Sequence, residues 1–374
     1  MKRIGIAVIF GLMMIFLLSA SVKAAEFDHY DDSVEELRNS LSDDVKERMD
    51  AIGYNGFGDI NSDVPDIRSV FSEVFRELAE QSAAPLSFAA AVTAVIMLSG
   101  LLEGYITSLR HTRMQDILSV VSSLLVVTGI MTPVCELIDS AVKVLNDTSS
   151  LMLIFIPIMI GIVTFTGHFS GAAGYYITMM TASQAVSQVS TLFLSPLLSA
   201  FFALSLTADI GGRLKLKSIC DMVFRFMKWS LTFLMSIYAA VLGLHSIVGS
   251  AGDRAASRAI KFTLSSFIPF IGASISEAYK TIRSSVDLLR SGVGVFVLTA
   301  IFLTFLPILL RVILWLLTVK TTHHIAQLMD SSSADAVLSS TSSALSLLLA
   351  LLICVFTAFV ISTSVLISIG GGSG

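Results

Sequence analysis

Charge is what this chain has least of. Only 14% of its 374 residues are Asp, Glu, Lys or Arg, where a soluble domain carries about 25%. A chain that poor in charge and 54% hydrophobic is not an ordinary soluble globule. Cysteine is scarce as well. Cys135, Cys220 and Cys354 lie in or beside apolar blocks without metal-ligand spacing, which argues against a disulfide framework or a zinc site. With 24 Lys+Arg against 28 Asp+Glu there is no basic excess to attract nucleic acid. Neither HExxH nor a Walker glycine loop occurs, and no cofactor is expected.

What is abundant is unbroken apolar sequence. Leu86 to Leu102, Ile117 to Cys135, Ser150 to Gly167, Trp229 to Ser250, Gly292 to Thr318 and Ser342 to Ile369 are apolar blocks separated by short polar stretches. Each approaches or exceeds the roughly 20 residues that an α-helix needs to cross a bilayer core of about 30 Å. In lipid only helices and closed barrels satisfy every backbone polar group. The expected fold is therefore all-α: a polytopic helical membrane protein with about seven to eight membrane segments between residues 84 and 370.

The net charge of −4 conceals an asymmetry. From Glu26 to Ala83 there are 16 Asp+Glu and 5 Lys+Arg, a balance of −11; from Ala84 onward 16 Lys+Arg face 12 Asp+Glu, a balance of +4. Ahead of the acidic segment, Lys2 and Arg3, the apolar run Ile4 to Leu18 and the small residues up to Ala24 have the pattern of a secretory signal over residues 1–24. Residues 25–83 are then expected outside the cytoplasm as amphipathic helices. Ser33 and Glu36 form a capping box, and Leu37, Leu41 and Val45 recur at helical spacing. Gly53 to Gly58 reads as a turn, after which Phe71, Val74 and Leu78 mark a second helix. Two short helices bury little alone. Their stripes dock on each other, on the membrane surface, or on a partner; partner docking is the expectation for Leu37, Leu41, Val45, Phe71, Val74 and Leu78.

Charge bias orders the crossings. The first span delivers Arg110 and Arg113 to the cytoplasm and the second returns to Glu136, Asp139, Lys143 and Asp147 outside. Ser150 to Gly167 reads as a third span. Gly171 to Ala208 would be about 57 Å long as one helix. Reading it as a two-crossing hairpin keeps Arg213, Lys215, Lys217, Arg225 and Lys228 cytoplasmic. Phe262 to Ser276 is short enough to be re-entrant. If it does not cross, His323 and His324 are cytoplasmic and the C-terminus outside; if it crosses, both reverse.

Phe155-Ile156-Pro157 followed by Gly161 returns as Phe267-Ile268-Pro269 followed by Gly272, and Pro196 finds its counterpart in Pro307. That echo suggests a duplicated unit near residues 150–250 and 262–369.

Two catalytic strings fail on context. Gly56-Phe57-Gly58-Asp59 matches the GxGD of intramembrane aspartyl proteases but sits in the outer segment. Gly272-Ala273-Ser274-Ile275 resembles a rhomboid nucleophile, yet His323 and His324 fall in a polar loop rather than on a later span. His245 is a lone histidine on an apolar span. The chain reads as non-enzymatic. Arg311 is the notable residue, because a cation inside a membrane span is costly and marks function by default. Gln184 and Gln188, the broken-helix pair Pro269 and Gly272, and Pro307 join it as candidate pore or packing residues.

Arg258-Ala259-Ile260-Lys261-Phe262, Ser266-Phe267-Ile268-Pro269-Phe270-Ile271-Gly272, Ser276-Glu277-Ala278 and Ser291-Gly292-Val293-Gly294, together with Tyr175 to Pro196, resemble the stage III sporulation protein AE family of endospore-forming bacteria. The resemblance implies a mother-cell protein of the outer forespore membrane. It implies partners too: the other membrane proteins of a channel or secretion-like complex joining mother cell and forespore. It brings no catalytic residues. Two function classes remain: a membrane platform or channel component, with self-association open to it, and a secondary transporter with a midplane site near the broken helices.

Overall fold

The computed structural model describes residues 37–51, 67–108, 112–164, 171–211, 216–267, 272–329 and 331–368. The signal-like stretch 1–24, the Gly53–Asp59 string and Pro269 lie outside them. The described chain is helical: α1 (Asp43–Ala51), α2 (Ile67–Ser108), α3 (Thr112–Thr164), α4 (Gly171–Val189), a π-turn (Ser190–Leu194), α5 (Ser195–Gly211), α6 (Leu216–Phe267), α7 (Gly272–Leu328) and α8 (Ser332–Ser368).

The core is the antiparallel pair α7–α8, joined by a turn at Met329–Ser331. Phe305 packs on Phe356 with ring centroids 5.2 Å apart, and Val297, Ile301, Val312, Leu345, Leu352 and Phe359 are sealed from solvent. In the most apolar stretch of α7, 67% is buried within the chain, against 28% for α2. Both stretches are hydrophobic, so position rather than composition separates the central helix from the peripheral one. Helices α2 and α3 pack on α7, whereas α4, α5 and α6 gather around α8. Helix α6 packs on α4, α5 and α8.

Five helical stretches among the described residues are long and apolar enough to cross a membrane: Arg76–Leu102, Val120–Met159, Ile177–Asp209, Gly292–Leu328 and Ala334–Ser364. The reading of seven to eight segments differs from this at three places, one of them Trp229 to Ser250, which lies on α6 and is not among the five stretches. In another, α3 runs unbroken for 53 residues, so Glu136 to Asp147 is helix and not a loop, and Ser150 to Thr164 continues the preceding span. Polar residues alone do not stop a helix; α3 tolerates them where they face outward, as Glu136, Asp139 and Lys143 do. In the third, Gly171 to Ala208 does not fold back as a hairpin. Helices α4 and α5 form no interface with each other and are joined through the π-turn, whose flanking residues Val189 and Ser195 both keep right-handed helical dihedrals.

Pro196 explains the π-turn. A proline inside a helix lacks its N–H and its ring crowds the carbonyl one turn back. Here the Ser195 N–H bonds to the Ser190 carbonyl, one residue farther back than in an α-helix, which absorbs the misfit without a break. Pro85, Pro133, Pro157 and Pro307 lie inside α2, α3, α3 and α7. Residues 262–267 close α6 and Gly272 opens α7, so Phe262 to Ser276 is a junction and not a span of its own.

Helix α1 packs on α7 and is tied to α2 by an ion pair, Arg48 Nη1 to Glu77 Oε2 at 2.7 Å. Glu77 also accepts from Gln81. Leu37, Leu41, Val45 and Met49 are buried in the main apolar cluster. The face assigned to partner docking is thus already covered by the chain's own helices at Leu37, Leu41 and Val45. Leu78 is half-buried, and Phe71 and Val74 lie on α2 with side chains outside the described residues. A carboxylate placed at Val45, which is 4% exposed, would lose its water without gaining a cation. Val45→Asp is expected to release α1 and speed tryptic cleavage at Lys46 and Arg48, while Asp44→Ala at an exposed position leaves the cleavage rate unchanged.

Candidate functional site

The polar side chains between the helices are few, and most of them are used for packing. On α4, Gln184 Nε2 donates to the Ser149 carbonyl of α3 at 2.8 Å. The Ser149 hydroxyl donates to Ser187 Oγ at 2.7 Å. Ser187 is fully buried, and Ser190 beside it returns its hydroxyl to the Val186 carbonyl. Gln184 therefore joins two helices, whereas Gln188, one turn on, is exposed. The polar face of α4 divides between a packing half and an outward half.

A second contact ties α6 to the core. The Tyr238 hydroxyl lies 2.7 Å from the Ala358 carbonyl and 2.7 Å from Ser362 Oγ of α8, with the ring 2% exposed. Ser99 and Ser122 join α2 to α3 at 2.6 Å. Pattern reading had no signal for either, because single Tyr and Ser residues in apolar runs look alike whichever face they occupy.

Arg311 lies on α7, four residues beyond Pro307, and both are half-buried. Its Nη2 donates to Glu136 Oε2 of α3 at 3.5 Å, with the two side chains 36% and 58% exposed. Glu136 was placed in an outer loop by the sequence pattern; its role became visible only once α3 was seen to run straight through. Gly272 opens α7, far from Arg311 along the helix. At the α7–α8 turn, His323 Nδ1 lies 3.1 Å from Asp335 Oδ1. Among the described residues no three His, Cys, Asp or Glu side chains converge as a metal site would require.

The stage III sporulation protein AE family matches this sequence over residues 58–370. The chain belongs to that family. The stage III sporulation protein AE of Bacillus subtilis (strain 168) is 20% identical over 158 residues, which are 42% of this chain and 40% of that protein. The match spans less than half of that relative's length. No solved structure matches the chain. The family region takes in α2 to α8 with Arg311, Glu136, Gln184 and Tyr238, while Leu37, Leu41 and Val45 precede it.

Two variants test these contacts in this family member. Tyr238→Phe removes a hydroxyl that has two partners, and should cost about 1 kcal/mol, the usual worth of such a bond between membrane helices. Arg311→Leu strands the Glu136 carboxylate inside a candidate span. It should lower the melting temperature of the detergent-solubilised chain, and adding Glu136→Leu should restore it. A single variant that melts like the wild type would reduce Arg311 to a snorkelling side chain.

Proposed function

We propose that the chain is a non-enzymatic membrane platform or channel component of the multi-protein complex that joins mother cell and forespore during sporulation. Membership of the sporulation family over residues 58–370 carries the reading. Five candidate spans and a periphery rich in outward apolar side chains, such as Leu98, Leu101, Val121 and Leu125, support a multi-pass membrane body. Residence in the outer forespore membrane, made from the mother-cell side, and partnership with the other membrane proteins of the complex come with that proposal. So do the expected cleavage of residues 1–24 and the duplication of residues 150–250 and 262–369.

The orientation follows from charge. The α2–α3 connection carries Arg110 and the α5–α6 connection Arg213 and Lys215, while Lys320 lies near the end of α7. Ser99 bonds to Ser122, Gly100 approaches the Met329 carbonyl, and Asp209 approaches both Ser340 and Lys217. These contacts gather the three connections at one end of the bundle, which the positive-inside rule puts in the cytoplasm. With α6 crossing alongside the five candidate spans, the opposite end, with α1 and the last turns of α8, then lies outside. Fewer crossings leave Arg213 to Lys228 beginning on the side first expected. Treating α3 as one span and Gly171–Gly211 as one span removes two crossings, and the parity is unchanged.

A secondary transporter draws on one observation, the Arg311–Glu136 pair within the spans. The two readings part on partners. Purified from sporulating cells in mild detergent, the tagged full chain should bring down other membrane proteins of the complex in fixed ratio. A chain that purifies alone and supports solute uptake in vesicles would favour the transporter. For orientation, a Ser218→Cys probe in a background free of Cys135, Cys220 and Cys354 should resist an impermeant thiol reagent from outside and react once the membrane is opened.

A further inference from the structure

Two exposed charged stripes run along the bundle at the same height, one on α3 and one on α6. On α3 the stripe holds Glu136 and Asp139, exposed, with Lys143 one turn on. On α6 it holds Lys217, Asp221, Arg225 and Lys228, all exposed. Each spacing of three or four residues keeps its members on one helix face. Arg225 donates to its own helix at the Asp221 carbonyl, and Lys228 sits 5.7 Å from the centre of the Phe224 ring. Among the described residues no carboxylate lies within ion-pair distance of either cation.

The heights follow from contacts. Ser149 on α3 meets Ser187 on α4, and short connections make α3 antiparallel to the α4–α5 rod and α5 antiparallel to α6. From Ser187 up to Phe201 the rod rises by about 20 Å, as does α3 from Ser149 back to Glu136. Phe201 packs on Phe224, with centroids 5.9 Å apart, next to Arg225. Glu136 and Arg225 are therefore level, and so are Asp139 and Lys228, because α3 and α6 both run away from the basic end. All four lie alongside candidate spans, Val120–Met159 and Ile177–Asp209, where an exposed charge facing lipid is costly.

We propose that the α6 stripe of one copy docks on the α3 stripe of a second copy, with Arg225 opposite Glu136 and Lys228 opposite Asp139. The two pairs share the same three-residue spacing and the same helix direction, as copies standing parallel in one membrane require. Pairing α6 with α6, or α3 with α3, would set like charges against each other, so the contact is head-to-tail, the kind that repeats from copy to copy and makes a ring where its rotation closes. Glu136 keeps Arg311 and offers its remaining lone pairs to the neighbour. The inference rests on the membrane crossings and not on what the complex conducts.

The test uses the full chain, without native cysteines, in two differently tagged forms co-expressed in one membrane. Asp139→Cys in one and Lys228→Cys in the other should cross-link across tags with a short bis-maleimide, and far more than Lys228→Cys paired with itself. Asp139→Lys should shift the native assembly toward monomer, and adding Lys228→Asp in the same chain should restore it. No cross-tag product, with both cysteine chains present in the membrane, overturns the proposal and leaves the cationic stripe to lipid headgroups. Stronger Lys228–Lys228 than Asp139–Lys228 cross-linking overturns the head-to-tail geometry. An assembly insensitive to Asp139→Lys overturns the charge pairing.

Discussion

The packing of α7 against α8 is the constraint on which the other helices depend. Each of the two is apolar nearly all round, so in isolation each would be equally content in lipid. Helix association inside a membrane draws little from the hydrophobic effect and relies on close contact and on a few interhelical hydrogen bonds. The antiparallel pair supplies the contact surface through Phe305 on Phe356 and the sealed Val297, Leu345, Leu352 and Phe359. The hydrogen bonds then fasten the periphery: Tyr238 holds α6 to α8, and Gln184 with Ser149 and Ser187 holds α4 to α3.

Helix length sets the second constraint. At 53, 52 and 57 residues, α3, α6 and α7 each extend for about 80 Å, well beyond a bilayer of about 30 Å of hydrocarbon. Helices of that length continue past a bilayer's thickness as helix, without a separate fold at their ends. Helix α1 docks on the bundle through Val45, and the segment before it through Leu37 and Leu41, fixed by Arg48 on Glu77. An apolar stripe that looked available to a partner is used to close the chain on itself.

Charge placement carries the functional weight. Arg311 finds Glu136 across the α7–α3 interface. Among the described residues, Arg225 and Lys228 on the outside of α6 have no carboxylate within ion-pair distance. Family membership over residues 58–370 makes a multi-protein assembly the natural setting for such surfaces.

Composition and apolar run length by themselves determined that the chain is all-helical and membrane-embedded, because a bilayer leaves the backbone no other way to satisfy its polar groups. The short strings from Arg258 to Gly294 sufficed for the family. The sequence did not determine where helices end. Glu136 to Asp147 looked like a loop because charges usually separate spans, but a helix carries charges along one face if that face is not in lipid, and only packing shows which face that is. Gly171 to Ala208 looked like a two-crossing hairpin, yet one shifted hydrogen bond at Ser190 lets the helix run on past Pro196. The destinations of Arg311 and Gln184, likewise, belong to tertiary structure: a side chain's partner sits on another helix, and no periodicity within one helix encodes it.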